Sequence, residues 1–109
     1  MTKASDDVLA ERERQKAGEG WTEAHDDAHD KGQMALAAAA YAEHSARFGD
    51  ATMFGVKYAL KAFPTTWPWS RDCWKPKNSR RDLVRAGALI LAEIERLDRA
   101  AEREGRYEP

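Results

Sequence analysis

The sequence predicts an all-α protein, a small bundle of three to four helices with a long, structured loop rich in tryptophan and proline. Three observations lead to this fold class: an alanine-rich run at 33–47, apolar residues at helical spacing at 83–97, and a cluster of prolines and tryptophans at 64–77 between them. The 109 residues, 42% of them hydrophobic, can bury one modest core. We therefore expect a single helical domain over 1–109, with a frayed tail at 103–109.

The first helices are predicted from their capping residues and their breakers. Ser5 or Asp6 should begin the first helix, because a short polar side chain there can accept backbone N–H groups. The Gly-Glu-Gly segment at 18–20 should end it. A turn at 21–27 then leads into a second helix, and the alanine-rich run at 33–47 predicts a central, buried helix that another helix can approach closely.

The middle of the chain is the least regular part of the prediction. The apolar residues of 51–63 fit either a short helix or an extended segment, and we expect an irregular stretch with one helical turn. The segment 64–77 contains three prolines, which forbid a regular helix, and three tryptophans, which supply bulk. It should form a structured loop.

The last helix is the most strongly predicted. Ser79, with Asp82 three residues later, approximates a capping box. Gly87 indicates a close helix crossing, since glycine costs about 1 kcal/mol against alanine in a helix interior and needs a packing reason. The helix should end near Glu102. Its apolar residues recur at helical spacing: Leu83, Ile90, Ile94 and Leu97.

Composition excludes several classes of partner and compartment. The 18 basic and 19 acidic residues leave a formal charge of −1, so the chain lacks the positive field that gathers duplex nucleic acid. Cys73 is the only cysteine, which rules out an internal disulfide and suits a reducing compartment. No stretch approaches the ~20 apolar residues that a membrane span needs. We expect a cytoplasmic protein with neither membrane nor duplex nucleic acid as partner.

The favoured candidate site is both aromatic and basic. Tryptophan faces stack on bases, and lysine or arginine near a helix N-terminus binds phosphates, so the segment from 67 to 81 predicts a nucleotide site. Alternatively, the tryptophans fill a small core under the loop while the cations remain in water. The residues of this site are Trp67, Trp69, Arg71, Trp74, Lys75, Lys77, Arg80 and Arg81.

A second candidate begins at Trp21 and contains two histidines four residues apart. On a helix His25 and His29 share a face, and they could bind a transition metal together with Asp26 or Asp30. Alternatively, His25 and Asp26 cap the helix and hydrogen-bond the preceding loop. In a nucleotide-binding protein His25, Asp26 and His29 would instead hydrogen-bond ribose or base, and Trp21 would also contact the ligand.

A third candidate is the carboxylate pair Glu95 and Asp98, which stand three apart and could hold Mg²⁺. An ion pair between Glu95 and Arg99 is the alternative. The sequence contains neither a nucleophile elbow nor a glycine-rich phosphate loop.

Several segments carry a resemblance to known proteins: Glu-Arg-Glu-Arg-Gln at 11–15, Glu-Gly-Trp-Thr at 19–22, His-Asp-Asp-x-His at 25–29, Trp-Pro-Trp at 67–69, Trp-Lys-Pro-Lys at 74–77 and the run 80–98. Together they resemble a family of small phage and prophage accessory proteins. That resemblance implies counter-defence or nucleotide metabolism in an infected bacterial cell. The chain also bears a weaker similarity to all-α nucleoside triphosphate pyrophosphohydrolases, whose Glu-x-x-Glu and Glu-x-x-Asp motifs bind Mg²⁺. Here Glu95-x-x-Asp98 matches, Glu23-x-x-Asp26 could substitute, and no Glu-x-x-Glu occurs.

Three functional hypotheses follow. The leading one is a homo-oligomer that sequesters a nucleotide-derived host immune signal, such as a cyclic nucleotide or a cyclic ADP-ribose isomer, without cleaving it; it needs neither catalysis nor a cofactor. The second is a nucleotide phosphohydrolase dependent on Mg²⁺ or another divalent metal. The third is direct inhibition of a host protein that the tryptophan loop contacts. Oligomerisation is expected because the alanine-rich helix favours tight packing, which could also be wholly internal.

Overall fold

A computed structural model of the chain describes residues 2–48 and 64–105, and these form four α-helices and no strand. The helices are α1 (Lys3–Gly18), α2 (Glu23–Ala28), α3 (Gln33–Phe48) and α4 (Ser79–Arg103), with a single 3-10 turn at Arg71–Cys73. The all-α prediction is confirmed. The expected conformation of 51–63 and the last residues of the expected frayed tail lie outside the described residues. No helix in 2–48 or 64–105 is long and apolar enough to cross a membrane.

Threonines cap the first two helices. The Thr2 hydroxyl accepts from the backbone N–H of Ser5 (3.1 Å), so α1 begins before the predicted Ser5 or Asp6, and Ser5 donates back to the Thr2 carbonyl (3.0 Å). Thr22 accepts from the His25 backbone N–H (3.2 Å). The histidine and aspartate side chains of α2 are therefore not its caps and are available for tertiary contacts.

The cap of α4 is Asn78, one residue before the predicted Ser79. Its side chain accepts from the Arg81 backbone N–H (2.8 Å). The Asp82 side chain accepts from the backbone N–H of Lys77 (3.0 Å). Asn78 and Asp82 therefore both accept from backbone N–H groups at the start of α4, where Ser79 and Asp82 were expected to do so. The predicted capping box was wrong by one residue, because asparagine is at least as good a cap as serine.

The core lies between α3, α4 and the loop at 64–77. The amino end of α4 lies beside the carboxyl end of α3, where the Ser79 hydroxyl donates to the Ser45 carbonyl (3.5 Å), so the two helices run antiparallel. Small residues of α3 are fully buried, as the alanine-rich run predicts. The core cluster comprises Met34, Ala37, Ala38, Ala40, Tyr41, Trp67, Trp74, Ala86, Leu89 and Ala92.

Gly87 marks the crossing of α1 and α4. A Cβ placed on it would lie 3.2 Å from both methyl carbons of Val8, which is tighter than ordinary van der Waals contact. The predicted close crossing at this glycine is confirmed, and the partner helix is α1.

The apolar residues that predicted α4 do not form its buried side. Leu83, Ile90, Ile94 and Leu97 are each about half exposed, between 48% and 51%. The side of α4 that packs inward carries smaller and polar residues instead: Asp82, Val84, Ala86, Ala88, Leu89, Ala92 and Arg96.

Candidate functional site

A cleft of about 240 Å³ opens between α1, the core helices α3 and α4, and the loop that follows Pro64. We call it the tryptophan cleft. Aromatic side chains line it (Trp21, Tyr41, Trp67 and Trp69), and so do polar residues of α1 and its C-cap (Glu11, Arg14, Gln15 and Glu19). Asp72, Cys73 and Lys75 of the loop and Arg85 and Leu89 of α4 complete the lining.

The aromatic side of the cleft is a chain of rings. Trp67 contacts Tyr41 edge-on at a centroid distance of 5.5 Å and Trp69 at 5.3 Å, and Trp69 lies 6.0 Å from Trp21. The Trp67 indole N–H donates to the Ser70 carbonyl (2.9 Å), which fixes the loop on itself. Trp67 is buried, whereas Trp21 and Trp69 are only partly buried. The latter two leave aromatic surface available to a ligand.

Trp74 lies in the core and does not line the cleft. It stacks on Tyr41 with centroids 4.7 Å apart and contacts His44 edge-on at 5.3 Å. Of the three loop tryptophans, Trp74 and Trp67 thus fill the core under the loop, as the alternative interpretation expects, while Trp69 remains at the cleft.

The polar floor of the cleft is built on Glu11 and Gln15 of α1. The Glu11 side chain is 1% exposed and accepts from Arg14 (2.7 and 2.8 Å) and from Arg81. Burial alone would raise the pKa of the Glu11 carboxyl, but the Arg14 and Arg81 guanidinium groups outweigh burial and hold it below its usual value. The Gln15 amide donates to Glu11 (3.3 Å), while its Oε1 is buried without a hydrogen-bond partner.

Two of the predicted phosphate-binding cations pair with acids of α1 instead. Arg80 contacts Asp7 (2.9 Å), and Arg81 contacts Glu11. These partners are about 70 residues away in sequence, so local reasoning could not identify them. Lys77 and Arg71 are exposed and lie outside the cleft lining.

The cations that line the cleft are Arg14, Lys75 and Arg85. Arg85 donates to the Lys75 carbonyl and lies 5.7 Å from the centre of the Tyr41 ring. Of these cations, sequence reasoning named Lys75 alone. It also missed Glu11, Gln15 and Tyr41. The sequence did indicate that polar residues of α1 are buried. Because α1 carries no apolar stripe, it can pack against the bundle only by burying polar side chains.

Residues of α2 and its C-cap contact the two partly buried tryptophans of the cleft. Asp26 is fully buried and accepts from Arg12 (2.9 Å) and, at its other oxygen, contacts His25 Nδ1 (2.9 Å). The His25 ring stacks on Trp21 with centroids 5.4 Å apart and planes 3° apart. His29 contacts the His25 carbonyl through Nδ1 (2.8 Å) and meets Trp69 edge-on at 5.7 Å. The two histidines thus hold Trp21 and Trp69 in place.

Side chains of both predicted metal sites have protein partners within the described residues. Within 2–48 and 64–105, no group of three or more His, Cys, Asp or Glu side chains is arranged to hold a metal ion. Glu95 accepts from Arg12 (3.0 and 3.1 Å). The expected ion pair of Glu95 with Arg99 is also absent from these residues, because Arg99 donates to Asp27 (2.9 and 3.2 Å).

Together the described helices and loop define a small all-α protein with a cleft that has an aromatic side and a polar floor. Comparison of the chain with protein-family models, with curated proteins and with solved structures gave no match.

Proposed function

We propose that the protein binds a nucleotide-type small molecule in the tryptophan cleft and holds it without chemical change. The observation that carries this proposal is the unpartnered Oε1 of Gln15, a buried acceptor beside an aromatic surface. A buried polar atom left unsatisfied costs roughly 1–3 kcal/mol. The exocyclic amino group of a nucleobase would donate to this oxygen while the base stacks on tryptophan.

Ring surface and volume both suit a base and a sugar. Stacking of a base on an aromatic side chain contributes about 1–3 kcal/mol, and the partly exposed rings of Trp69 and of Trp21, on the side away from His25, would provide it. The cleft of about 240 Å³ is smaller than the ~300–1,000 Å³ of sites that enclose a whole drug-sized ligand. The phosphates would therefore lie at the rim, near Lys75 and beside Arg14 and Arg85, which already pair with Glu11 and Asp82.

The acidic group at the floor is poorly suited to catalysis. A general base works best with a pKa near the operating pH, and the pKa of Glu11 is held low by two guanidinium groups. Glu11 serves instead to fix Arg14 and the Gln15 amide. Affinity without turnover is the property that a sequestering protein needs.

The resemblance to phage accessory proteins extends the proposal to the source of the ligand. In that setting the nucleotide is a host immune signal of the cyclic nucleotide or cyclic ADP-ribose type, and a homo-oligomer sequesters it in the infected cell.

The first test is to incubate the purified protein with a panel of cyclic nucleotides and cyclic ADP-ribose isomers, remove the unbound pool, denature the protein, and identify the released molecules by mass spectrometry. Recovery of an intact ligand supports the proposal. Release of a chemically converted product would indicate an enzyme instead. If no compound of the panel is recovered from the protein, the proposal is overturned.

Variants then locate the site. Gln15→Leu removes the unpartnered oxygen together with the amide hydrogen bond to Glu11 and keeps the volume, so we expect an unchanged helical CD spectrum and a fall in affinity of about tenfold or more. Lys75→Ala should weaken binding and reduce its salt dependence, whereas Lys77→Ala, two residues away and outside the cleft, is the matched control and should bind normally. Normal binding by Gln15→Leu and Lys75→Ala together would contradict the cleft as the site.

A further inference from the structure

The imidazole rings of His25 and His29 lie next to each other at the end of α2. His25 belongs to the helix and His29 is its C-cap, and the two ring centroids are 4.4 Å apart. Both side chains are partly exposed, and neither lines the tryptophan cleft. The proposed nucleotide site therefore makes no use of the nitrogen atoms of this histidine pair.

The hydrogen bonds of the two rings select the same tautomer. His25 Nδ1 lies 2.9 Å from Asp26 Oδ1, and His29 Nδ1 lies 2.8 Å from the His25 carbonyl oxygen. A carbonyl oxygen can only accept, and the Asp26 carboxylate also accepts from Arg12, so Nδ1 carries the proton in both rings. The lone pair of each neutral imidazole is then on Nε2.

The same arrangement surrounds histidines that bind metal ions in proteins. A metal-binding histidine donates its other ring N–H to a carboxylate or to a backbone carbonyl, which fixes the ring and makes the binding nitrogen more basic. His25 has the carboxylate and His29 has the carbonyl. No residue in 2–48 or 64–105 is hydrogen-bonded to Nε2 of either ring, so both lone pairs are open to a metal ion.

We propose that His25 and His29 together bind one divalent transition-metal ion of the Zn²⁺ type through their Nε2 atoms. Imidazole nitrogen suits zinc, copper and nickel, whereas Mg²⁺ takes oxygen ligands. Two nitrogen ligands of a tetrahedral Zn²⁺ lie roughly 3.3 Å apart, a separation that the Nε2 atoms of rings with centroids 4.4 Å apart can reach. Water fills the remaining positions, so the site needs no third protein ligand from the described residues.

A metal ion on this pair would hold the aromatic side of the cleft. The His25 ring stacks on Trp21, and the His29 ring meets Trp69 edge-on. An ion that joins the two Nε2 atoms fixes both rings, and with them the tryptophans against which they pack. The inference does not depend on the proposed nucleotide site, because metal binding is measured without a nucleotide.

Titration of chelator-treated protein with ZnCl₂ tests this site. A Cys73→Ser background is used, because the exposed Cys73 thiol is itself a zinc ligand. Calorimetry should give one zinc ion per chain. In ¹⁵N NMR of the imidazole groups, zinc should shift the Nε2 signals of His25 and His29 and leave both Nδ1 atoms protonated. His44, the third histidine of the chain, is buried and should not respond.

Variants of the pair test each ligand separately. His25→Gln and His29→Gln should each weaken zinc binding by at least about tenfold with an unchanged helical CD spectrum, because even the loss of an outer partner of a metal-binding histidine costs about 10–100-fold. Asp30→Asn is the matched control, since it removes an exposed carboxylate beside His29 and leaves both imidazoles, and it should bind zinc normally.

Four results would overturn the two-histidine site. They are no zinc binding by the background protein, zinc-induced shifts confined to one histidine or to His44, unchanged affinity in both glutamine variants, and equal weakening by Asp30→Asn. The first two are measured with all three histidines in place, so they test the site even if a glutamine variant fails to fold.

Discussion

Replacing Arg12 should destabilise the protein more than any surface change, because it strands a buried carboxylate. The Arg12 side chain is 3% exposed and Asp26 is fully buried, with Nη2 and Oδ2 2.9 Å apart. Removing one partner of a buried ion pair costs about 3–5 kcal/mol, since the remaining charge keeps its desolvation cost and loses its attraction. This is a large part of the roughly 5–15 kcal/mol by which small domains are stable.

Comparison with Asp26→Leu and with the double variant tests whether the two buried charges act as a pair. Arg12→Met should lower the free energy of unfolding by about 3–5 kcal/mol, and Asp26→Leu by less, because Arg12 would retain Glu95 as a partner. The double variant should be much more stable than the sum of the single effects predicts, since neither charge remains buried. It also removes Arg12 Nη1, a buried donor that has no acceptor.

Urea denaturation followed by CD at 25 °C measures these differences. Lys3→Met is the matched control: it breaks the exposed ion pair with Asp7 (3.1 Å, 79% and 34% exposed) and should leave the urea midpoint unchanged. A loss below about 1 kcal/mol for Arg12→Met, or strict additivity in the double variant, would refute the assignment of this pair as a buried structural unit.

Further predictions concern the helix crossing, a buried acid and the core. Gly87→Ala should stabilise a Val8→Ala background by about 1 kcal/mol and the wild type by less, as measured in urea, because the added Cβ lies 3.2 Å from the Val8 methyl groups. Burial raises the pKa of Asp82, so the folded chain binds this proton more readily than the unfolded chain does. The stability of the wild type relative to Asp82→Asn should therefore fall as the pH rises from about 4 through that raised pKa. Urea denaturation at a series of pH values measures this difference. Trp74→Ala should cost about 3–5 kcal/mol by creating a cavity, and a CD melt with an unchanged midpoint would place this residue outside the core.

The helices were predictable because their signals are local. Alanine content identified α3, helical spacing identified α4, and a glycine within that pattern identified a close crossing, whose partner helix α1 only the structure shows. The caps were less accurate, since serine, threonine, asparagine and aspartate compete at neighbouring positions, and Thr2 and Asn78 act where Ser5 and Ser79 were expected.

The candidate site was predictable in its aromatic part only. The tryptophan loop and Trp21 do meet, but the cations at 80 and 81 are taken up by acids of α1. Such pairing joins residues far apart in sequence and depends on how two helices cross. The floor formed by Glu11 and Gln15 could be anticipated only in general terms, because the lack of an apolar stripe on α1 indicates that polar residues are buried but not which ones.

The short helix α2 is attached to the bundle mainly by charge. Asp26 is its buried residue, and Asp27 contacts Arg99 (2.9 Å) and Arg103 (3.3 Å) through partly exposed pairs. Salt weakens exposed pairs far more than buried ones. Since His25 of α2 stacks on Trp21, raising the ionic strength would loosen one side of the cleft while the rest of the bundle persists. An uncharged nucleoside would then lose affinity in salt, although it has no phosphate to be screened.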